Sequence, residues 1–181
     1  KGVKDAKKVV NEISNQGLLA ECFAYDVLSP NKSDLLKKLG TWRPTHLYYF
    51  ATPFIFSGSS RNFSIKKFER FCDYYVAGFK EIIDLIGPSE IKNIYYPSTI
   101  AIEELPSDMS EYVSAKVAGE IFCNFHEKFY TDTIIYKPRL PRLDTDQTVS
   151  ILPVNNEDPV PIQIENLREF QDMSIKNKNE Q

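Results

Sequence analysis

The sequence predicts an α/β protein: a parallel sheet with helices on both faces. Three observations lead there. Segments of helical and of strand-like apolar pattern alternate along the chain, helix–strand four times over, the order that produces parallel strands. The run at 45–51, THLYYFA, is compact, apolar and rich in β-forming residues, as a strand buried on both faces requires. Hydrophobic residues make up 42% of the 181 positions and aromatics 13%, enough for a sizeable core.

The elements follow in order. Residues 4–16 form an amphipathic helix with Ala6, Val9, Val10 and Ile13 on one face, stopped by Gly17. Residues 19–25, LAECFAY, read as a strand ending at Asp26-Val27, with a loop from Ser29-Pro30. A short helix at 32–40 stops at Gly40 and Pro44, and the strand 45–51 follows. A Ser/Gly/Pro-rich loop at 52–62 leads to a long helix at 64–86 that ends at Gly87-Pro88. Residues 91–96 form the next strand, with Pro97-Ser98-Thr99 at its C-terminal end. A loop carrying Pro106 precedes a helix at about 110–130, and the strand at 132–137 ends at Pro138. Residues 141–160 read as a long loop and 163–173 as one more helix. A single domain is expected over 1–175, with a disordered tail, KNKNEQ, at 176–181.

Composition narrows the function. The net charge of −3 gives no basic field for nucleic acid. Cys22, Cys72 and Cys123 lie far apart, with no CxxC pair, which points away from a disulfide framework or zinc site and toward the reducing cytoplasm. No apolar run has membrane-spanning length and no signal-peptide pattern opens the chain. Residue 1 is Lys, so the sequence is expected to be a piece of a longer protein, or one renumbered.

In an open parallel sheet, ligands bind at the C-terminal ends of the strands. Asp26, then Ala51-Thr52-Pro53, then Ser98 and Thr99, then Pro138-Arg139 stand at those ends. Tyr112 and Lys116 are four apart on a helix, so they share a face one turn apart. A neighbouring ammonium is expected to lower the Tyr pKa from about 10 toward neutrality. Such a phenol passes a proton to or from a carbonyl or alcohol oxygen, and the hydroxyl of Thr99, or of Ser98, can hold that oxygen.

The stretch EYVSAKVAGE, 111–120, resembles the Tyr-x-x-x-Lys segment of the short-chain dehydrogenases/reductases, with small residues at Ala115, Ala118 and Gly119. Thr99 lies thirteen residues before Tyr112, the family's spacing for its catalytic Ser; Ser98 is one position off. The resemblance covers nearly the whole chain. AYDVLS, 24–29, is similar to the strand end that borders the adenine, so Asp26 and Val27 are implied there. YYFATP, 48–53, stands in the place of the Asn-Asn-Ala-Gly strand end, with only Ala51 matching. KPRLPR, 137–142, is similar to the Pro-Gly segment beside the nicotinamide and implies Pro138 there, with Arg139 in place of Gly. Tyr75 stands where many members carry an active-site Asn, which puts the usual proton relay in doubt. The family's first βαβ unit, with its Gly-rich phosphate-binding turn, has no counterpart in the sequence. Without that unit, the strand at 19–25 would lose its usual route to the strand at 45–51.

The resemblance implies a Rossmann-like fold and an NADP- or NAD-dependent carbonyl reductase or alcohol dehydrogenase. In that reading Tyr112 is the acid/base, Lys116 its partner on the nicotinamide ribose, and Thr99 or Ser98 the oxygen holder. Two alternatives stand beside it. One is a non-catalytic scaffold of the same fold, favoured by the missing turn and the replaced Asn. The other is a ketoreductase-like domain of a polyketide-type synthase acting on a carrier-bound acyl group, suggested by RLPRLDTDQT, 139–148. A homo-oligomer, or contact with an upstream domain of the same protein, is among the expected partners. His46 and His126 read as packed histidines, Arg139 and Arg142 as solvated loop residues, Glu103-Glu104 as a solvated loop, and Phe50, Phe54 and Phe56 as core. No His/Cys/carboxylate cluster has metal-site spacing.

Overall fold

The computed structural model describes residues 2–28, 32–55, 62–143 and 157–180. The chain divides into two compact units, Lys1–Trp42 and Arg43–Gln181.

The first unit holds α1 (Gly2–Asn15) and α2 (Lys32–Leu39). Helix α1 ends where the sequence predicts. Gly17 takes φ +78°; its N–H donates to Ser14 O and that of Leu18 to Ile13 O, the paired bonds of a Schellman cap. The strand expected at 19–25 does not form: residues 18–26 have no regular structure and join no ladder among the described residues. β-Propensity orders a segment only when a neighbouring strand takes up its N–H and C=O groups. Ser29 and Pro30 lie outside the described residues.

The second unit is built on a parallel sheet of order β1-β2-β4, with β1 at His46–Tyr48, β2 at Asn93–Tyr95 and β4 at Ile134–Tyr136. A second parallel ladder joins β3 (Ser98–Thr99) to β5 (Arg139–Leu140). Both crossovers between neighbouring strands of the larger sheet are helical. The first is one continuous helical run: α3 (Ile65–Cys72), a π-turn (Asp73–Gly78) and α4 (Phe79–Ile86). Ser64 caps its start by accepting from Lys67 N, and Gly87 stops it at φ +109°. The second crossover holds the short α5 (Ala101–Glu104) and the long α6 (Ser110–Phe129). Neither the π-turn nor α5 is signalled by the sequence periodicity.

Strand alternation sorts the sheet's side chains onto two faces. Tyr48, Tyr95 and Tyr136 stand in register, their rings 6.0 and 5.8 Å apart. Helix α7 (Pro159–Glu180) covers this row with Phe170, which is fully buried and lies 5.5, 5.7 and 6.1 Å from the three rings. On the opposite face, Tyr49 and Tyr96 close on Phe79 of α4 at 4.9 and 4.7 Å, and Phe79 meets Phe122 of α6 at 5.7 Å. The architecture is the Rossmann-like one: a parallel sheet with helices on both faces.

Helix α7 is longer than the 163–173 expected and runs through 176–180, where composition predicts a disordered tail. Extending an existing helix costs far less than starting one, and Phe170 anchors it upstream. The loops expected at 52–62 and 141–160 lie largely outside the described residues, as does Phe56. Among the described residues, no helix is long and apolar enough to cross a membrane.

Candidate active site

A cavity of about 550 Å³ opens where β1, β2 and β4 end. Its lining includes Ala51, Thr52, Tyr75, Thr99, Tyr112 and Lys116. Helix α6 supplies Tyr112 and Lys116 from one face, both buried. Its first turn is anchored by Glu111, whose carboxylate accepts from Ser64 N at 2.7 Å and Ser110 Oγ at 3.0 Å. Burial alone would raise the Glu111 pKa; these bonds outweigh it and hold the carboxyl below its usual range.

Ser98 and Thr99 are adjacent on β3 and diverge. Thr99 Oγ1 accepts from Ala101 N at 3.3 Å and stands close enough to the Tyr112 hydroxyl to act on its ionisation. Ser98 Oγ donates to Glu120 Oε1 at 2.5 Å, and Glu120 also receives Arg139 through Nε and Nη2 at 3.0 and 2.8 Å. Both residues line the cavity, but their partners differ: Thr99 stands beside Tyr112, whereas the Ser98 hydroxyl is held in an ion network. Arg139 is tied to two carboxylates, Glu120 and Glu103, rather than solvated alone.

Lys116 Nζ donates to Pro97 O at 2.7 Å. The amine also lies 4.0 Å from the centre of the Tyr75 ring, 5.2 Å from that of Tyr96 and 6.0 Å from that of Tyr112. Burial pushes the Lys116 pKa down to about 7, against opposing pulls from Cys123 and Glu120. Burial also pushes the Tyr112 hydroxyl up to about 12, opposed by the nearby Thr99 hydroxyl. This reverses the expected lowering of Tyr112 by an adjacent ammonium. In a dry pocket both charged forms lose hydration, and that loss exceeds the attraction between them.

Tyr75 lies in the π-turn, where helical carbonyls lose their usual partners. Two tyrosine hydroxyls from the sheet take up two of them: Tyr49 donates to Tyr74 O at 2.6 Å and Tyr96 to Tyr75 O at 3.0 Å. Gly119 makes room for the second bond, since a Cβ there would stand 2.0 Å from the Tyr96 hydroxyl oxygen. The Tyr75 hydroxyl shares a 2.5 Å hydrogen bond with Thr52 Oγ1. Sequence reading placed Thr52 at a ligand-binding strand end without giving it a role, and missed Tyr96 and the purpose of Gly119. The available signal was a glycine inside a helix, which costs about 1 kcal/mol relative to Ala and so implies a packing reason.

Pro138 separates β4 from β5 and accepts from Ser98 N through its carbonyl; Leu140, Pro141 and Arg142 line the cavity on that side instead. Asp26 and Val27 lie in the first unit, where Asp26 Oδ1 accepts from Leu28 N at 3.0 Å.

No protein-family model matches the chain, and no curated protein sequence matches it. Solved structures do. An alcohol dehydrogenase from the archaeon Thermococcus sibiricus, complexed with 5-hydroxy-NADP, superposes with a TM-score of 0.72 at 15% identity, over 93% of this chain and 77% of that one. A short chain dehydrogenase from Salmonella enterica serovar Typhi gives 0.75 at 12% identity, over 92% and 75%. An NAD+-bound xylitol dehydrogenase gives 0.60 at 14%, over 77% and 57%. With its parallel sheet, its helical crossovers and these superpositions, the chain has the fold of the short-chain dehydrogenases/reductases.

Proposed function

We propose that this chain carries the catalytic portion of an NADP- or NAD-dependent oxidoreductase that interconverts a carbonyl and an alcohol on a small-molecule substrate. The observation that carries the reading is the Tyr112–Thr99 hydroxyl pair at one cavity wall with Lys116 one helical turn away. The donor set fits the nicotinamide end of such a nucleotide: an amine suited to ribose hydroxyls and two hydroxyls suited to a carbonyl oxygen. The chemistry the nucleotide supplies when bound is hydride transfer. The structures of similar fold bound to 5-hydroxy-NADP and NAD+ support that cofactor class.

Each side chain then has a role. Thr99 holds the substrate oxygen. Tyr112 donates a proton to it in reduction and takes one back in oxidation. The raised pKa keeps Tyr112 protonated at neutral pH, the form required for donation. Lys116 holds the ribose and helps return the proton to Tyr112. Ala51 borders the cofactor at the end of β1. The seven glycines are spread singly along the sequence, in no Gly-x-Gly-x-x-Gly pattern.

Finer features belong to the same proposal. The exposed apolar residues Val117, Ile121, Phe125 and Phe129 recur every fourth position along α6, which suits pairing with a second copy. Three free thiols suit the cytoplasm. The test is nucleotide binding by calorimetry, on this chain and on any longer natural form, followed by carbonyl reduction with Tyr112→Phe. Nucleotide binding with loss of reduction in the variant supports the reading. Failure of every form to bind either nucleotide favours a scaffold role, in which the α6 stripe would be the working surface.

A further inference from the structure

We propose that Tyr75 is the positioning residue of this site: its ring face holds the amine of Lys116, and its hydroxyl, latched to Thr52, fixes the angle of that ring. The inference rests on the reading of Lys116 as part of the site.

Lys116 is buried without a carboxylate partner among the described residues. An ammonium has three N–H donors, and one goes to Pro97 O. The titratable groups that face it come from three elements: Tyr75 from the π-turn, Tyr96 from the end of β2, and Tyr112, Glu120 and Cys123 from α6 itself. Glu120 is already engaged by Arg139 and Ser98. What remains as counter-charge is aromatic. The attraction of a cation to a ring face requires approach within about 6 Å of the centroid. At 4.0 Å Tyr75 is well inside that range, while Tyr112 is at its limit.

The surrounding bonds are arranged around the same ring. The π-turn places Tyr75, and its backbone carbonyl is held by the Tyr96 hydroxyl in the space left by Gly119. Its phenol oxygen is held by Thr52. Its edge meets Tyr112 at 5.8 Å and its face stacks on Phe71 at 6.0 Å. One side chain therefore touches Lys116, Tyr112 and the cavity-lining Thr52.

The test uses the full chain carrying lysine labelled with carbon-13 at the ε position. The Lys116 resonance is assigned by its loss in Lys116→Arg and is titrated by NMR. Position 75 is occupied in turn by Tyr, Phe and increasingly fluorinated phenylalanines. These keep the ring's size while draining charge from its face. A ring that stabilises the ammonium raises the pKa, so weakening the face must lower it. Tyr75→Phe keeps the ring face but releases it from Thr52, so it should lower the midpoint slightly, by less than any fluorinated ring does. Tyr75→pentafluorophenylalanine should lower it by about one pH unit, with the partly fluorinated variants in between. A midpoint that stays constant or rises along the series overturns the proposal. Nucleotide binding is measured separately, and its absence would count against the oxidoreductase reading while leaving the titration result intact.

Discussion

Replacing Gly119 with Ala isolates the contact on which the π-turn depends. In an ordinary helix interior this change stabilises by about 1 kcal/mol. Here the new Cβ would stand 2.0 Å from the Tyr96 hydroxyl oxygen and 2.8 Å from Cζ of the same ring. The ring has little room to yield, with Phe79 at 4.7 Å on one side and Tyr49 stacked at 6.3 Å on another. Displacing the hydroxyl strands the buried Tyr75 carbonyl, which costs about 1–3 kcal/mol, and overpacking adds about 1–3 kcal/mol. After the helix-propensity gain, the net loss is about 1–5 kcal/mol. Urea unfolding with linear extrapolation measures it. Tyr96→Phe is the control: it removes the hydrogen bond without the clash and should cost about 1–3 kcal/mol. The double variant should cost less than the sum of the two, because both remove the same bond. If Gly119→Ala is as stable as the parent or more so, the packing of Tyr96 across α6 is not as described.

Three further outcomes follow from the structure. Phe170→Ala should cost about 3–5 kcal/mol in the same assay, because Phe170 is fully buried against the Tyr48–Tyr95–Tyr136 row; a loss below 1 kcal/mol would mean that α7 does not seal the sheet. Stability should rise with pH between about 7 and 10 through Lys116, whose folded pKa of about 7 lies below its ordinary 10.5, so the unfolded chain binds the extra proton across that window. Above pH 10 the buried tyrosines Tyr75, Tyr96 and Tyr112, all with raised pKa values, reverse the slope. Lys116→Met should flatten the rise between 7 and 10 in a pH series of urea midpoints, and an unchanged slope would assign it to another group. In carbonyl reduction, Ser98→Ala should stay within about threefold of the parent while Thr99→Val falls by about 100-fold or more, the scale of losing one donor to a developing oxyanion. The opposite order would make Ser98, which also lines the cavity, the holder of the substrate oxygen.

What the sequence determined by itself is local. Gly17 stops α1 because only a residue tolerant of positive φ closes that cap. Tyr112 and Lys116 share a face because helical spacing requires it, and Thr99 stands at a strand end because the apolar run before it stops at Pro97. The order of helices and buried strands, and with it the fold class, was legible for the same reason: periodicity is a property of neighbours in the chain. The tertiary structure decided everything that depends on a partner distant in sequence. Residues 19–25 have strand-forming residues but join no ladder among the described residues, so propensity alone did not make a strand. Spacing put Thr99 first and Ser98 one position off, but only α6 decided their partners, placing Glu120 beside Ser98 and Tyr112 beside Thr99. The charge states of Tyr112 and Lys116 turned on desolvation, which depends on how tightly distant elements close around a group. The π-turn is held through tyrosines 49 and 96, more than twenty residues away on either side. Hydroxyl, ring and carbonyl meet there only because the sheet and helices bring them together.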